Sequence, residues 1–534
     1  MQMIRMADQL FAEWDSPNSP GCALGVIRDG QFVYKRGYRM ANLEHNIPIS
    51  SDTVFRIGST SKQFTAMCVV LLAERGKLSL DDDIGEYLPE MPEYERTITI
   101  RHLIHHTSGL RDYLELMTLA GTRDDDFYTD DQVVEMLTRQ RELNFAPGDE
   151  YLYSNTGYYL LGVIVKRASG RSLREFAEEN IFKPLGMTHT HFHDDHTKIV
   201  RNRADGYSPQ HGGGYRIDMI TLDMVGDGGV FTTVEDLFLW DQNFYHNKLG
   251  REKDNLISQV LTPGTLNSGE RQDYAFGLVV SDYKGVKMVS HGGGFAGFRA
   301  EMIRFPDQAF SVICLANLST INPSRLARQV AEIYLGDQFE MDEKDAIEAR
   351  FIELSTAVLE NKIGVYKSAT TGMIVEISIQ DGKLFAEMFG ESIPISPVTE
   401  MDFATVNAPY DAKIKFERLE QDGPWLMHAC IEDDKPDTLQ AIEIIFPSAV
   451  QLAEYVGDYT SDELQVTYAI VLADGKLYVR YRGAPQDPLK PVTTDMFRVG
   501  YVTLLFARDA EGRVSGFRVN VGRVRNIYFV RTNK

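Results

Sequence analysis

Cysteine is nearly absent from this 534-residue chain: Cys22, Cys68, Cys314 and Cys430 lie in apolar stretches far from one another. That spacing makes neither a zinc-ligand pattern nor a disulfide framework. Buried free thiols are the expectation, which fits a reducing compartment. There is no run of about 18 apolar residues, so no membrane-spanning helix is expected. The stretch Met1 to Leu10 lacks the apolar core of a secretory leader, and a cytoplasmic location is the default reading. Positive charge is in deficit, with 55 Lys and Arg against 77 Asp and Glu, a formal net charge of −22. This balance argues against nucleic acid or an anionic membrane as partner. The remaining composition is that of an ordinary globular protein, in a chain too long for a single core.

Texture divides the chain. Cys22 to Arg28 and Gln31 to Tyr38 read as a hairpin around Asp29-Gly30. Mostly helical patterning follows to about Val280, then strands at Val286 to Ser290, Phe298 to Phe305 and Phe310 to Ala316. A helix then starts with Asn322 as N-cap and Pro323 at its first position. Strands at both ends with helices between them predict one α/β domain over 1–337, an antiparallel sheet flanked by helices with a helical insertion. A charged, helix-prone linker is expected over 338–362. Beyond it an internal repeat appears: Gly364-Val365-Tyr366 and Asp381-Gly382-Lys383-Leu384-Phe385 recur 93 residues later as Gly457-Asp458-Tyr459 and Asp474-Gly475-Lys476-Leu477-Tyr478. Two antiparallel β-barrels, over 363–448 and 449–534, are the expected form, because closure removes exposed edges.

Three clusters carry chemistry. Ser59-Thr60-Ser61-Lys62 sits where an extended segment runs into a helix, which places serine and lysine on one face. A serine hydroxyl needs a neighbouring base, and a lysine one turn away can be that base. The free amides at the helix start can stabilise an oxyanion. Tyr153-Ser154-Asn155 offers a phenol for proton transfer and an amide to orient a carbonyl or the lysine. It could equally be a core tyrosine followed by a helix cap. His291-Gly292-Gly293-Gly294 follows a strand, and its glycines let backbone approach a ligand. The amide of Gly294 could then join that of Ser59 in an oxyanion hole.

The ordered set Ser59-x-x-Lys62, Tyr153-x-Asn155 and His291-x-Gly293 resembles the three motifs of the class C β-lactamase and penicillin-binding protein superfamily, over about residues 15–337. His102 to Leu110, Gly226-Asp227-Gly228-Gly229-Val230 and Gly297-Phe298-Arg299 support the resemblance. It implies a β-lactamase/transpeptidase-like fold and a hydrolase that works through an acyl-enzyme without a cofactor. Ser59 is then the nucleophile, Lys62 and Tyr153 share acid/base work, His291 belongs to the catalytic set, and Asn155, Gly293 and Gly294 contact substrate. His291 stands where many relatives carry lysine, and a mostly uncharged histidine suits a β-lactam carboxylate poorly. Together with the length and the two C-terminal β-units, this resembles D-aminopeptidases, which release N-terminal D-residues from small peptides or amides. The resemblance also implies that the segment Arg482 to Pro488 enters the site, where Asp487 would bind a substrate ammonium. A carboxylesterase or broad peptidase, and a catalytically silent penicillin-binding scaffold, remain the alternatives. Whether the C-terminal units gate the site or form a homodimer is open. The run His191 to His196 has metal-like composition but no fourth ligand, so no metal is expected.

Overall fold

Asp29 and Gly30 take positive φ values of 50° and 74°, the two-residue turn that matches strand twist. They join the strands Cys22–Arg28 and Gln31–Tyr38. Cys22–Arg28 also pairs with Phe310–Ala316, Cys22 opposite Ala316 and Arg28 opposite Phe310. The sheet has six strands, in the order Val279–Tyr283, Val286–Phe295, Phe298–Phe305, Phe310–Ala316, Cys22–Arg28, Gln31–Tyr38. All five pairings are antiparallel. The computed structural model describes the chain except residues 1, 16–17, 124–125, 211, 252, 341–350, 389, 406–407, 409–410, 421–422, 432–435, 483, 485–486 and 533–534.

Helices cover both faces of the sheet. On one side lies Pro323–Leu335, whose cap Asn322 accepts from the Arg325 amide at 2.9 Å. Its Leu326, Val330 and Leu335 bury against Leu24, Val26, Val312 and Cys314. On the other side lies Val234–Tyr245, tied down by Asp241. The Asp241 carboxylate accepts from Arg304 Nε and Ser311 Oγ, both at 2.8 Å and fully buried. A buried charge is tolerable only when paired and hydrogen-bonded in this way. Sheet and helices belong to a compact unit made of Met1–Leu110, Asp124–Thr138 and Phe145–Glu340.

The second unit comprises Arg111–Arg123, Arg139–Asn144 and Met341–Lys534. Eight strands from Gly364–Ser368 to Asp437–Ile442 close into a barrel, the first strand pairing with the last. Eight more, from Gly457–Ser461 to Val524–Arg531, form a second sheet that is nearly closed, its end strands joined at the bridge Leu477↔Leu489. The sequence repeat is a structural one. Asp381-Gly382 and Asp474-Gly475 make the same left-handed turn, and Tyr366 and Tyr459 each donate to a carbonyl four residues back at 2.8 Å. Among the described residues no helix is long and apolar enough to cross a membrane.

The short helix Tyr113–Leu119 also belongs to the second unit. Arg111, just before it, is fully buried. Its guanidinium donates to Glu463 at 2.8 Å, to Gln140 at 3.1 Å and to the carbonyls of Arg525 and Asn526 at 2.9 and 3.1 Å. Removing one partner of such a pair strands the other charge in the interior. Arg111→Met is therefore expected to destabilise the second unit by about 3 kcal/mol, read as a lowered denaturant midpoint of one unfolding transition of the full chain.

Candidate active site

Ser59 is held by its neighbours. Phe55–Arg56 pairs with Val230–Thr232, and the Ile57 amide donates to the Val230 carbonyl at 3.0 Å. Gly58 then takes φ +50°, a conformation costly for any side chain-bearing residue. Ser61 Oγ donates to the Gly58 carbonyl at 2.6 Å and accepts from the Val230 amide at 3.0 Å. The sequence reading placed Ser59 on the helix itself. Instead Gly58–Ser61 is a 3₁₀ turn, and the α-helix runs from Lys62 to Glu74. The spacing still works, because side chains three apart eclipse in a 3₁₀ turn.

Lys62 is completely buried. Its Nζ donates to Ser59 Oγ at 3.1 Å, Asn155 Oδ1 at 2.9 Å and the Asp227 carbonyl at 2.6 Å. The ammonium lies 4.7 Å from the Tyr153 ring centroid and 5.6 Å from that of Tyr158. Ser154, not Asn155, caps the helix Asn155–Ser169, accepting from the Gly157 amide at 3.4 Å. Asn155 is left with its amide oxygen on the lysine. Tyr153 is fixed by His106, whose ring lies 4.2 Å away and whose Nδ1 accepts from the Ser154 amide at 3.1 Å.

The histidine-glycine segment lies inside the strand Val286–Phe295 rather than after its end. Its outer neighbour Val279–Tyr283 pairs only as far as Ser290, so the backbone from His291 onward faces the Ser59 turn. Thr60 Oγ1 donates to the His291 carbonyl at 3.2 Å. A Cβ on Gly293 would stand 2.0 Å from the Ile57 oxygen, and one on Gly58 would stand 2.8 Å from the Gly294 nitrogen. Glycine is what lets the two segments touch. Gly294 is exposed and Ser59 partly so, which leaves this edge open to a ligand.

His291 is turned into the protein, 6% exposed. Nδ1 lies 2.6 Å from the Gly292 carbonyl, so it carries the proton, and Nε2 accepts from Tyr274 Oη at 2.9 Å. Burial, and then the Lys62 ammonium, push its pKa down to about 4, so the ring is neutral. Tyr274, Tyr158, His106 and the Asp227 carbonyl are site residues to which the sequence reading gave no role, His106 entering it only within His102 to Leu110. Asp227 lay inside a quoted supporting phrase, whereas Tyr274 carries no local signal at all.

Asp487 is exposed, on a bend in the second unit, and Gly483, Pro485 and Gln486 of the same segment lie outside the described residues. Of the His191 to His196 run, His191 and His193 bond each other at 3.2 Å. Asp195, His196 and Asp223 come within ligand spacing of one another. Their atoms are engaged already: His196 Nδ1 is 2.9 Å from Asp223 Oδ2, and Asp195 accepts from Thr197 at 2.6 Å.

Residues 6–335 match the beta-lactamase family. A penicillin-binding protein of Bacillus subtilis is 30% identical over 403 residues, 70% of this chain and 85% of the relative. A D-aminopeptidase of Brucella canis is 26% identical over 528 residues, 96% of each chain. Among solved structures, the octameric penicillin-binding protein homologue of Pyrococcus abyssi superposes with a TM-score of 0.59 at 23% identity, over 82% of this chain and 99% of that one. Carrying the serine-lysine pair within that matched span, the chain belongs to the beta-lactamase family of serine hydrolases.

Proposed function

We propose that the protein is an aminopeptidase that releases N-terminal D-residues from short peptides and amides through a Ser59 acyl-enzyme. Ser59 Oγ attacks the scissile carbonyl carbon. For this step one member of the Lys62–Tyr153 pair must already be deprotonated, and that member takes the Ser59 proton, Lys62 Nζ being 3.1 Å away. The amides of Ser59 and Gly294 receive the oxyanion, the role for which the Gly58–Gly294 approach is suited. The leaving amine departs with the proton held by the pair, and water then releases the acid by the reverse sequence. Asn155 holds the lysine from one side and faces substrate from the other. His291 is a positioning residue that sets Tyr274 and the glycine strand.

The observation that carries the substrate assignment is the neutral His291. A fixed cation at this point would draw a carboxylate beside the scissile bond, and here both ring nitrogens are engaged inside the protein. The likeness to the Brucella D-aminopeptidase supports the same reading, because it extends through the C-terminal sheets. Matched D- and L-aminoacyl-p-nitroanilides, a short-chain ester and a chromogenic cephalosporin, assayed side by side on the full chain, test it. The D-anilide is expected to be the best substrate; a preference for the ester, the L-anilide or the cephalosporin overturns it.

Ser59→Ala is expected to lower kcat/KM at least about a thousandfold and to abolish covalent labelling by a fluorescent phosphonate. Lys62→Met should lose a comparable factor in kcat with a smaller effect on KM, because it removes proton transfer rather than binding.

The buried histidines also set an acid limit on stability. His105, His193 and His291 are each pushed down to about 4, chiefly by burial. Between pH 6.5 and 4 the unfolded chain therefore binds more protons than the folded one, so stability falls as pH falls through that window. Each contributes at most about 1.4 kcal/mol per pH unit. Urea midpoints should drop from pH 7 to pH 4.5, with a shallower slope in His291→Gln.

A further inference from the structure

The short helix Ile100–Ile104 ends in a pattern that glycine normally serves. Its cap is His105, the amide of His106 donates to the Leu103 carbonyl at 3.5 Å, and the amide of Thr107 donates to the His102 carbonyl at 3.0 Å. His106 itself takes φ +57°. A residue with a side chain is strained in that left-handed conformation, and glycine is its usual occupant. Here a histidine stands instead, 1% exposed, although nothing in ending the helix calls for one. A residue kept against its local preference points to a use for its side chain.

That use lies on the facing segment. The His106 carbonyl accepts from the Leu152 amide at 3.0 Å, and its Nδ1 accepts from the Ser154 amide at 3.1 Å. The amides of the residues on either side of Tyr153 are therefore both held by one residue. Thr107 adds a further strap, its carbonyl accepting from the Gly148 amide at 2.8 Å. A ring nitrogen that accepts carries no proton, so Nδ1 is bare and the neutral ring holds its proton on Nε2. The ring also stands between two phenols. Its centroid is 4.2 Å from that of Tyr153 and 4.4 Å from that of Tyr274, whose Oη donates to His291. One side chain thus joins the tyrosine of the second motif to the histidine strand of the third.

Resting on the acyl-enzyme reading above, we propose that His106 is the positioning residue of Tyr153, clamping the backbone on both sides of the tyrosine and stacking on its ring so that the phenol stays within proton-transfer reach of Ser59 and Lys62. Proton transfer needs hydrogen-bond geometry before it needs a matched pKa. A misplacement of about 1 Å in such a group costs on the order of a hundredfold in rate. His106 acts through Tyr153 and through proton transfer, so its loss falls on kcat rather than KM.

Two substitutions in the full chain isolate the acceptor. Asparagine places Oδ1 close to where Nδ1 stands and tolerates a left-handed φ, whereas glycine relieves the backbone and leaves the Ser154 amide without that partner. Both remove the ring. With D-alanine p-nitroanilide, His106→Gly is expected to lower kcat about a hundredfold with KM within about threefold. His106→Asn should recover at least about tenfold of that loss. A histidine that only ended the helix would leave His106→Gly at the wild-type kcat, and that result overturns the proposal. Equal losses in the two variants, or a loss carried by KM, overturn it as well. Should the glycine chain not fold, His106→Phe, which keeps a ring and drops the acceptor, takes its place with the same expectation. Hydrogen exchange of the Ser154 amide reads the clamp without turnover. Exchange about tenfold faster in His106→Gly and near wild type in His106→Asn supports the proposal; exchange unchanged in His106→Gly defeats it. The rate at which a fluorescent phosphonate labels Ser59 should fall in the same order, from wild type through His106→Asn to His106→Gly. A wild type that takes the label but cleaves no D-anilide would sink the aminopeptidase reading alone, and labelling and exchange would still decide the role of His106.

Discussion

The buried ammonium of Lys62 is the constraint around which the site is arranged. An ion removed from water needs a full set of hydrogen-bond partners. Lys62 finds them on three separate segments: Ser59 on its own turn, Asn155 at the start of another helix, and the carbonyl of Asp227 on a loop. Satisfying the charge therefore fixes three backbones at once. The loop can come close enough only because of its glycines. Gly226 has φ +119°, and a Cβ there would stand 2.6 Å from the Tyr158 oxygen. Aromatic faces of Tyr153 and Tyr158 complete the lining, attracting the cation through their quadrupoles.

Around the lysine lies a layer of neutral hydrogen-bonding groups with a definite polarity. Tyr274 donates to His291, and His291 donates to the Gly292 carbonyl. Burial raises Tyr274 well above the ordinary phenol range and lowers His291. Neither changes charge near neutral pH, so the layer supplies shape and orientation without competing for the proton that Ser59 must lose. It also carries the position of the glycine strand back to the loop bearing His105, whose Nδ1 is 3.1 Å from the Tyr274 carbonyl.

Local chemistry was readable in the sequence where a rule acts over a few residues. The Asp29-Gly30 hairpin, the strands Phe298–Phe305 and Phe310–Ala316, and the helix behind Asn322-Pro323 all fall where turn and capping chemistry put them. So does the repeated Asp-Gly turn of the two C-terminal sheets. Ser59, Lys62 and Asn155 are brought together as the spacing implied, since three short motifs in a fixed order constrain each other. What stayed hidden depends on groups distant in the chain. Tyr274 is an isolated aromatic until the strand at His291 meets it. The extension of the glycine strand through Phe295 reflects pairing with Arg299 and Phe298, which no glycine-rich stretch announces by itself.

Arg111 and the helix Tyr113–Leu119 have a consequence for how this chain is made. The partner of Arg111 is Glu463, 352 residues further on, and the Asn144 side chain donates to the Arg523 carbonyl, 379 residues away. A ribosome emits the early segments long before their counterparts exist. Until Glu463 and Arg523 have emerged, a guanidinium destined for the interior stays in water and the segment around it waits unfinished. Contacts of such range are slow to close. A nascent chain arrested before Glu463 would expose the segments Arg111–Arg123 and Arg139–Asn144 without their partners, which makes the interval before those partners emerge open to chaperone capture or aggregation.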